Sequence, residues 1–273
     1  MSTLIEDSVR IAIAEDLGTG DITAALCPNE ITTARVICRE NAILCGQDWF
    51  NETFRQIDSG TKVNWSCKDG QEISPDQEIC IIQGNDRSIL TAERTALNFL
   101  QTLSGTATTT HAYTRTLNNS TTKILDTRKT IPGLRQAQKY AVACGGGKNH
   151  RIGLYDAFLI KENHIAACGS IKHAIQKARE QHADLTLEVE VETLEQLQQA
   201  IDHHADIALL DNFSIDQIKQ AITLNNNQIK LEVSGNITLD NIADYAITGI
   251  DYISIGALTK HLRAVDFSML FIA

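Results

Sequence analysis

Residues Lys123–His164 read KILDTRKTIPGLRQAQKYAVACGGGKNHRIGLYDAFLIKENH. Two short apolar runs, one beginning near Lys123 and one near Ala157, each end in a polar cluster: Asp126-Thr127-Arg128-Lys129 and Lys161-Glu162-Asn163-His164. The stretch carries eight Lys/Arg against three Asp/Glu, in a chain whose formal net charge is -10. Such a local reversal of sign concentrates an anionic ligand at one cleft, while the acidic outer surface repels nucleic acid.

Toward the C-terminus the same unit recurs. Further short apolar strands are expected to begin near Leu185, Ile207, Ile229 and Tyr252. Between them Ile171/Ile175/Ala178, Leu194/Leu197/Ile201, Ile215/Ile218/Ile222 and Leu239/Ile242/Tyr245 fall on single helix faces. Alternating β and α units of this length mean a parallel sheet, and six in series favour a barrel over an open doubly wound sheet. The later strands also end in chemically capable groups: Glu188 and Glu190, Asp211-Asn212, Ser234-Gly235-Asn236, and Gly256. In a barrel those ends share one rim, where active sites lie. Loops do begin with polar residues for no functional reason. That explanation weakens when every strand ends this way, and when cations come from the first two strands and carboxylates from the next two.

Toward the N-terminus the pattern is different. Leu4, Ile5, Val9, Ala12 and Ile13 recur at helical spacing up to Asp16, and Gly18 stops that helix. From Ile31 to Ile82 the runs ITTARVICRE, TKVNWSC and QEICIIQG read as strands, with a helical insert from Gln47 to Ile57. Arg87 to Leu117 reads as a long helical region interrupted near Ser104-Gly105 and linking two domains. The expected division is an N-terminal α/β domain over 1–105 and a barrel over 106–264, with a tail over 265–273 that packs back on the first domain.

Composition narrows the function. With pI about 5.2 and no block of like charges, non-specific binding to nucleic acid or an anionic membrane is not expected. No apolar run approaches the ~20 residues of a membrane span, and an acidic start, MSTLIEDSVR, argues against a signal peptide. A cytoplasmic location is expected. Seven cysteines without a CxxC pair read as free thiols, and Cys144 and Cys168, which flank the basic stretch, as packing residues. His111, His173, His182, His203 and His204 read as solvent-facing, whereas His164 stands at a strand end beside Lys161.

Cations and carboxylates on one rim suit a polyanionic, metal-bound ligand. Arg128 and Arg151 fit planar carboxylates, which a guanidinium grips bidentately; Lys129 and Lys161 fit phosphates as point charges. Glu190 and Asp211 are hard oxygen donors for Mg²⁺ or acceptors for ribose hydroxyls. Ser234-Gly235-Asn236 and Gly256, placed ahead of helices, offer backbone N–H groups to a terminal phosphate. Gly145–Gly147 alone reads equally well as a flexible turn.

The segments EDLGTGDIT, ERTALNFLQTLSGTAT, DTRKTIPGLRQAQKYAV, GGGKNHRIGLYDAFLIKENH, EVEVET, LLDNF, EVSGNI and GALTKH, in that order, resemble the quinolinate phosphoribosyltransferase family over nearly the whole chain. The resemblance implies a type II phosphoribosyltransferase: an α/β chain with an N-terminal α+β sandwich-like domain and a C-terminal open (β/α) barrel of parallel strands. It implies transfer of phosphoribosyl from phosphoribosyl pyrophosphate to quinolinate with decarboxylation, giving nicotinate mononucleotide in NAD biosynthesis, with Mg²⁺ as cofactor. A homodimer with shared sites is implied, in which Arg94 reaches quinolinate from the partner chain, while Thr127, Arg128, His150 and Arg151 bind it from the barrel. By the same resemblance Lys129 and Lys161 flank the pyrophosphate, Glu190 and Asp211 meet the ribose hydroxyls and Mg²⁺, and Ser234, Gly235, Asn236 and Gly256 cup the 5′-phosphate. Lys260 followed by His261 departs from the family's usual residue after GALT, which leaves the phosphate-facing group there open.

Overall fold

The computed structural model describes residues 2–117 and 121–272. Met1 and Ala273, at the ends of the expected first domain and tail, lie outside them, as do residues 118–120 of the expected barrel. In chain order the elements are α1 (Ser2–Leu17), β1 (Ile31–Cys38), β2 (Ala42–Ile43), α2 (Gln47–Ile57), β3 (Lys62–Trp65), β4 (Glu72–Ile73), β5 (Glu78–Asn85) and α3 (Asp86–Thr116). Then come β6 (Lys123–Leu125), α4 (Arg135–Cys144), β7 (Phe158–Ile160), α5 (Glu162–Cys168), α6 (Ile171–Gln181), β8 (Leu187–Val191), α7 (Leu194–Asp202) and β9 (Ile207–Asp211). The chain finishes with α8 (Ile215–Asn225), β10 (Lys230–Ser234), α9 (Ile242–Tyr245), β11 (Tyr252–Ser254), α10 (Ala257–Lys260) and β12 (Phe267–Phe271).

Two compact units result. The first comprises residues 1–111, 131–146 and 261–273, and the second 112–130 and 147–260. This division differs from a single cut after residue 105, because the segment carrying α4 groups with the N-terminal unit. In that unit a four-stranded antiparallel sheet has the order β12-β1-β5-β3. The tail forms its edge strand: Phe267–Phe271 pairs along Ala34–Cys38, with Val265 and Phe267 buried. Arg263 also meets Glu40 at 2.6 Å. The core beneath joins Val36, Ile82 and Leu97 to Phe50 and Phe54 of α2, whose rings lie 5.0 Å apart.

The expected interruption of the long helix near Ser104-Gly105 is not there; α3 runs unbroken from Asp86 to Thr116. Gly105 marks a close approach instead, since a Cβ at that position would lie 2.2 Å from the Arg263 carbonyl oxygen.

In the second unit six parallel strands take the order β6-β11-β10-β9-β8-β7. Each strand starts within two residues of its sequence-based position. Among the described residues β6 and β7 do not pair with each other, so the ring of six is open between them. Outward residues such as Leu187, Val189, Leu210, Leu231, Val233 and Ile253 are fully buried, as strands covered by helices require. Ser170, Thr193 and Ser214 cap α6, α7 and α8 by accepting the backbone N–H three residues on. The last expected helix shrinks to the single turn of α9, with Leu239 left exposed.

Candidate active site

Successive side chains on a strand point to opposite faces, so each barrel strand sends residues i and i+2 inward. Leu159 and Lys161 come from β7 and its end, Glu188 and Glu190 from β8, Leu209 and Asp211 from β9, Glu232 and Ser234 from β10. These inward groups, Glu188 excepted, line one cavity of about 310 Å³ together with Ser254 of β11. Thr127, Arg128 and Lys129 after β6, with His150 and Arg151 from the loop before β7, complete its lining.

Lys129 is held at both backbone ends: its N–H donates to Thr127 Oγ1 at 3.1 Å, and its carbonyl accepts from Thr259 Oγ1 at 2.8 Å. Its side chain lies across Gly256, where a Cβ would come within 2.9 Å of the Lys129 Cδ. Lys161 Nζ is ion-paired to Glu190 Oε2. Burial, then the neighbouring Glu190 charge, raises the pKa of Asp211, while Asn212 Nδ2 donates to its Oδ2 at 2.8 Å. The carboxylates of Glu190 and Asp211 are therefore close enough to repel. Arg151 donates to the Ala157 carbonyl at 3.2 Å. Burial, and then the Arg128 charge, lowers its pKa. Two guanidiniums that oppose each other in a partly buried cavity gain most from a ligand bearing two carboxylates.

His150 is tied down on every side. Its backbone N–H donates to Asp126 Oδ1 at 2.9 Å, its Nδ1 accepts the Arg151 N–H at 2.7 Å, and its Nε2 lies 2.8 Å from Glu188 Oε2. Because Nδ1 accepts a main-chain N–H, the network assigns the ring proton to Nε2, which donates to Glu188. Both ring nitrogens are thus engaged within the protein, and the ring fixes the backbone from which Arg151 projects. Beneath it Glu188 and Glu232 are 3% and 0% exposed. Burial pushes Glu188 up to about 7, and burial with the neighbouring Glu188 pushes Glu232 up to about 8.

Other expected site residues stand elsewhere. Gly235 and Asn236 have φ of +111° and +50° and do not line the cavity. Glycine is required at 235, since a Cβ there would sit 2.2 Å from Asn212 Oδ1. Arg94 is exposed on α3 in the first unit. His164, left open by the sequence, accepts the Lys161 N–H on Nδ1 at 3.0 Å and so closes the start of α5. Glu232 and Ser254 carry no sequence expectation, and the sequence marks Glu188 only as a strand-end group. One signal was available: Leu-Glu-Val occurs at Leu187–Val189 and again at Leu231–Val233. A charge in the middle of so short an apolar strand has to face an interior cavity.

Fold and cavity together define a (β/α)-barrel protein with a site for an anionic ligand at the C-terminal rim of its strands. Residues 21–104 match the family model of the quinolinate phosphoribosyl transferase N-terminal domain, and residues 106–270 that of its C-terminal domain. A probable nicotinate-nucleotide pyrophosphorylase (carboxylating) of Bacillus subtilis is 42% identical over 257 residues, spanning 93% of this chain and 89% of that protein. The corresponding Mycobacterium leprae protein is 41% identical over 273 residues, spanning 96% and 95%. The solved nicotinate-nucleotide pyrophosphorylase of Francisella tularensis superposes with a TM-score of 0.98 at 50% identity, covering 100% of this chain and 97% of that one. The chain belongs to the quinolinate phosphoribosyl transferase family.

Proposed function

We propose that this chain is a quinolinate phosphoribosyltransferase (decarboxylating): it transfers phosphoribosyl from phosphoribosyl pyrophosphate to quinolinate, releasing pyrophosphate and CO2 and forming nicotinate mononucleotide for NAD biosynthesis. The observation that carries this reading is a single cavity uniting Arg128 and Arg151, suited to two carboxylates, with Lys129 and Lys161, suited to phosphate, and with Glu190 and Asp211.

In this reading Thr127, Arg128 and Arg151 grip the quinolinate carboxylates and turn the ring nitrogen toward ribose C1; His150 holds the Arg151 backbone in place. Orientation of that kind is worth several kcal/mol, up to ~7–11 in ideal cases. As pyrophosphate departs, positive charge develops at C1, and the carboxylates of Glu190 and Asp211 stabilise it while Lys129 and Lys161 receive the leaving anion. Ser234, which lines the cavity, and the backbone of Gly235 and Asn236 that directly follows it, with Gly256 against the Lys129 side chain, would hold the 5′-phosphate. Two mutually repelling hard oxygen donors fit a divalent cation, so Glu190 and Asp211 would hold Mg²⁺ directly or through water, where it would neutralise pyrophosphate charge. After bond formation the positive charge on the ring nitrogen stabilises the electron pair that the departing CO2 leaves on the adjacent ring carbon. A proton drawn from solvent then takes the place of the carboxylate, so the protein has only to hold the cationic ring until CO2 leaves. A Schiff-base role for Lys161 is disfavoured, because that chemistry requires a neutral amine and Lys161 is ion-paired to Glu190.

The working unit in this reading is a cytoplasmic homodimer whose sites each take Arg94 from the second copy. Among the described residues no helix is long and apolar enough to cross a membrane. Incubation with quinolinate, phosphoribosyl pyrophosphate and Mg²⁺ is expected to yield nicotinate mononucleotide and CO2 in equal amounts. Chelation should abolish the reaction and added Mg²⁺ restore it. Absence of both products under these conditions overturns the reading.

A further inference from the structure

In the first unit two cysteines 99 positions apart in sequence meet. Cys45 follows β2 and is fully buried; Cys144 is the last residue of α4 and is partly exposed. The sulfurs and an Asp69 carboxylate oxygen all lie within 4.8 Å of one another. Such a trio has the makeup of a metal site, but Asp69 is already committed. Its carboxylate accepts the N–H groups of Gly46 at 3.1 Å and Gln47 at 3.3 Å, which open α2, and the Tyr140 hydroxyl at 2.9 Å. What remains is a pair of thiols facing each other. The Cys45 thiol as hydrogen-bond donor lowers the pKa of Cys144, and burial raises that of Cys45. A partly exposed nucleophilic thiol beside a buried partner is the arrangement of an oxidation-sensitive pair.

We propose that Cys45 and Cys144 form a reversible disulfide when the protein meets a peroxide, and that this bond weakens quinolinate binding. The Cys144 thiolate attacks one peroxide oxygen, breaking the O–O bond and giving a sulfenic acid and hydroxide. The Cys45 sulfur then displaces the sulfenic oxygen as water. In total two thiols and one hydrogen peroxide give one disulfide and two waters, the sulfurs losing two electrons and the O–O bond gaining them. A dithiol reverses the step by exchange.

The consequence for binding follows from chain connectivity. A disulfide brings the sulfurs to about 2.05 Å, inside the contact distance of two thiols, so the side chains close on each other and pull on the end of α4 and on the Cys45 loop. Cys45 resists, because both its N–H and its carbonyl are bonded to Ser104 Oγ at 2.9 and 3.1 Å. Next to Cys144, Gly145 packs so closely that a Cβ would lie 2.4 Å from the Ala107 carbonyl oxygen. Displacement therefore passes along Gly145–Gly147 to Lys148, which pairs with Ile124 and Asp126 at 2.8 and 3.1 Å, and on to His150 and Arg151.

The effect on binding rests on the proposed activity; the bond itself does not. The reduced protein should be treated with a slight excess of hydrogen peroxide, then mapped by peptide mass spectrometry and assayed before and after dithiothreitol. Expected are loss of two thiols per chain, a Cys45–Cys144 cross-link, and a several-fold rise in KM for quinolinate that the dithiol reverses. Cys144→Ser should be refractory to both effects, as should Cys45→Ser if it folds. Absence of the cross-link, an unchanged KM in cross-linked protein, or equal inhibition of Cys144→Ser would each overturn the proposal. A reduced protein with no activity but a mapped cross-link would refute the activity and with it the effect on binding, while leaving the bond standing.

Discussion

Arg151 and Arg128 are kept in one partly buried cavity although each opposes the other's charge, and Arg151 is anchored to the Ala157 carbonyl and through the His150 ring. Removing one guanidinium forfeits charge-assisted hydrogen bonds worth about 1.5–3 kcal/mol. Arg151→Ala is thus expected to raise KM for quinolinate roughly ten- to hundred-fold, with a much smaller change for phosphoribosyl pyrophosphate; equal losses would disprove the division between carboxylate and phosphate cations. Glu232 gives a second test, on stability. Its pKa is raised from 4.5 to about 8, so the folded state binds more protons than the unfolded chain between those values. By linkage its contribution to stability is complete below about pH 4.5 and is lost as pH rises through 8. Glu232→Gln keeps the shape and cannot ionise. Its melting temperature relative to the parent should climb between pH 5 and pH 8, and a pH-independent difference would show that Glu232 is not buried as a carboxylic acid. At this scale the cations and rim carboxylates were legible because strand ends carry them. Glu232 was less so: it sits in the middle of its strand, and only the repeated Leu-Glu-Val marks it as a charge that an interior cavity must hold.

The strand starts of the barrel were readable to within two residues, since each is a short apolar run bounded by turn chemistry, and β8 and β9 are followed by a Thr and a Ser cap. Gly105 was misread as a break, because glycine in a helix lowers local propensity and nothing local distinguishes that from a close approach. The two meanings have opposite consequences. Were Gly105 merely a weak helical residue, Gly105→Ala would stabilise α3 by about 1 kcal/mol. Because the added methyl would meet the Arg263 carbonyl at 2.2 Å, a net loss of roughly 1–3 kcal/mol is expected, read as a lower melting temperature. A rise in melting temperature would contradict the packing of the tail against α3.

For the molecule as a whole, Arg94 is exposed on α3 while the cations of the cavity belong to the second unit. If active sites are shared between two copies, inactive Arg94→Ala and Lys161→Ala proteins should recover activity when mixed and allowed to exchange. Up to a quarter of the parent's sites would be intact in a statistical mixture. Recovery is measured as nicotinate mononucleotide formation; none in confirmed heterodimers would refute sharing. By itself the sequence determined the repeated β/α units, the sign reversal within an acidic chain and the family, because periodicity, charge and ordered motifs are local properties. Only the tertiary structure decided where the expected open ring of strands has its gap, between β6 and β7 among the described residues, that α4 groups with the N-terminal unit, and that Cys45 meets Cys144. Each of these is a contact between residues distant in the chain, and side-chain packing, which no local pattern encodes, selects it.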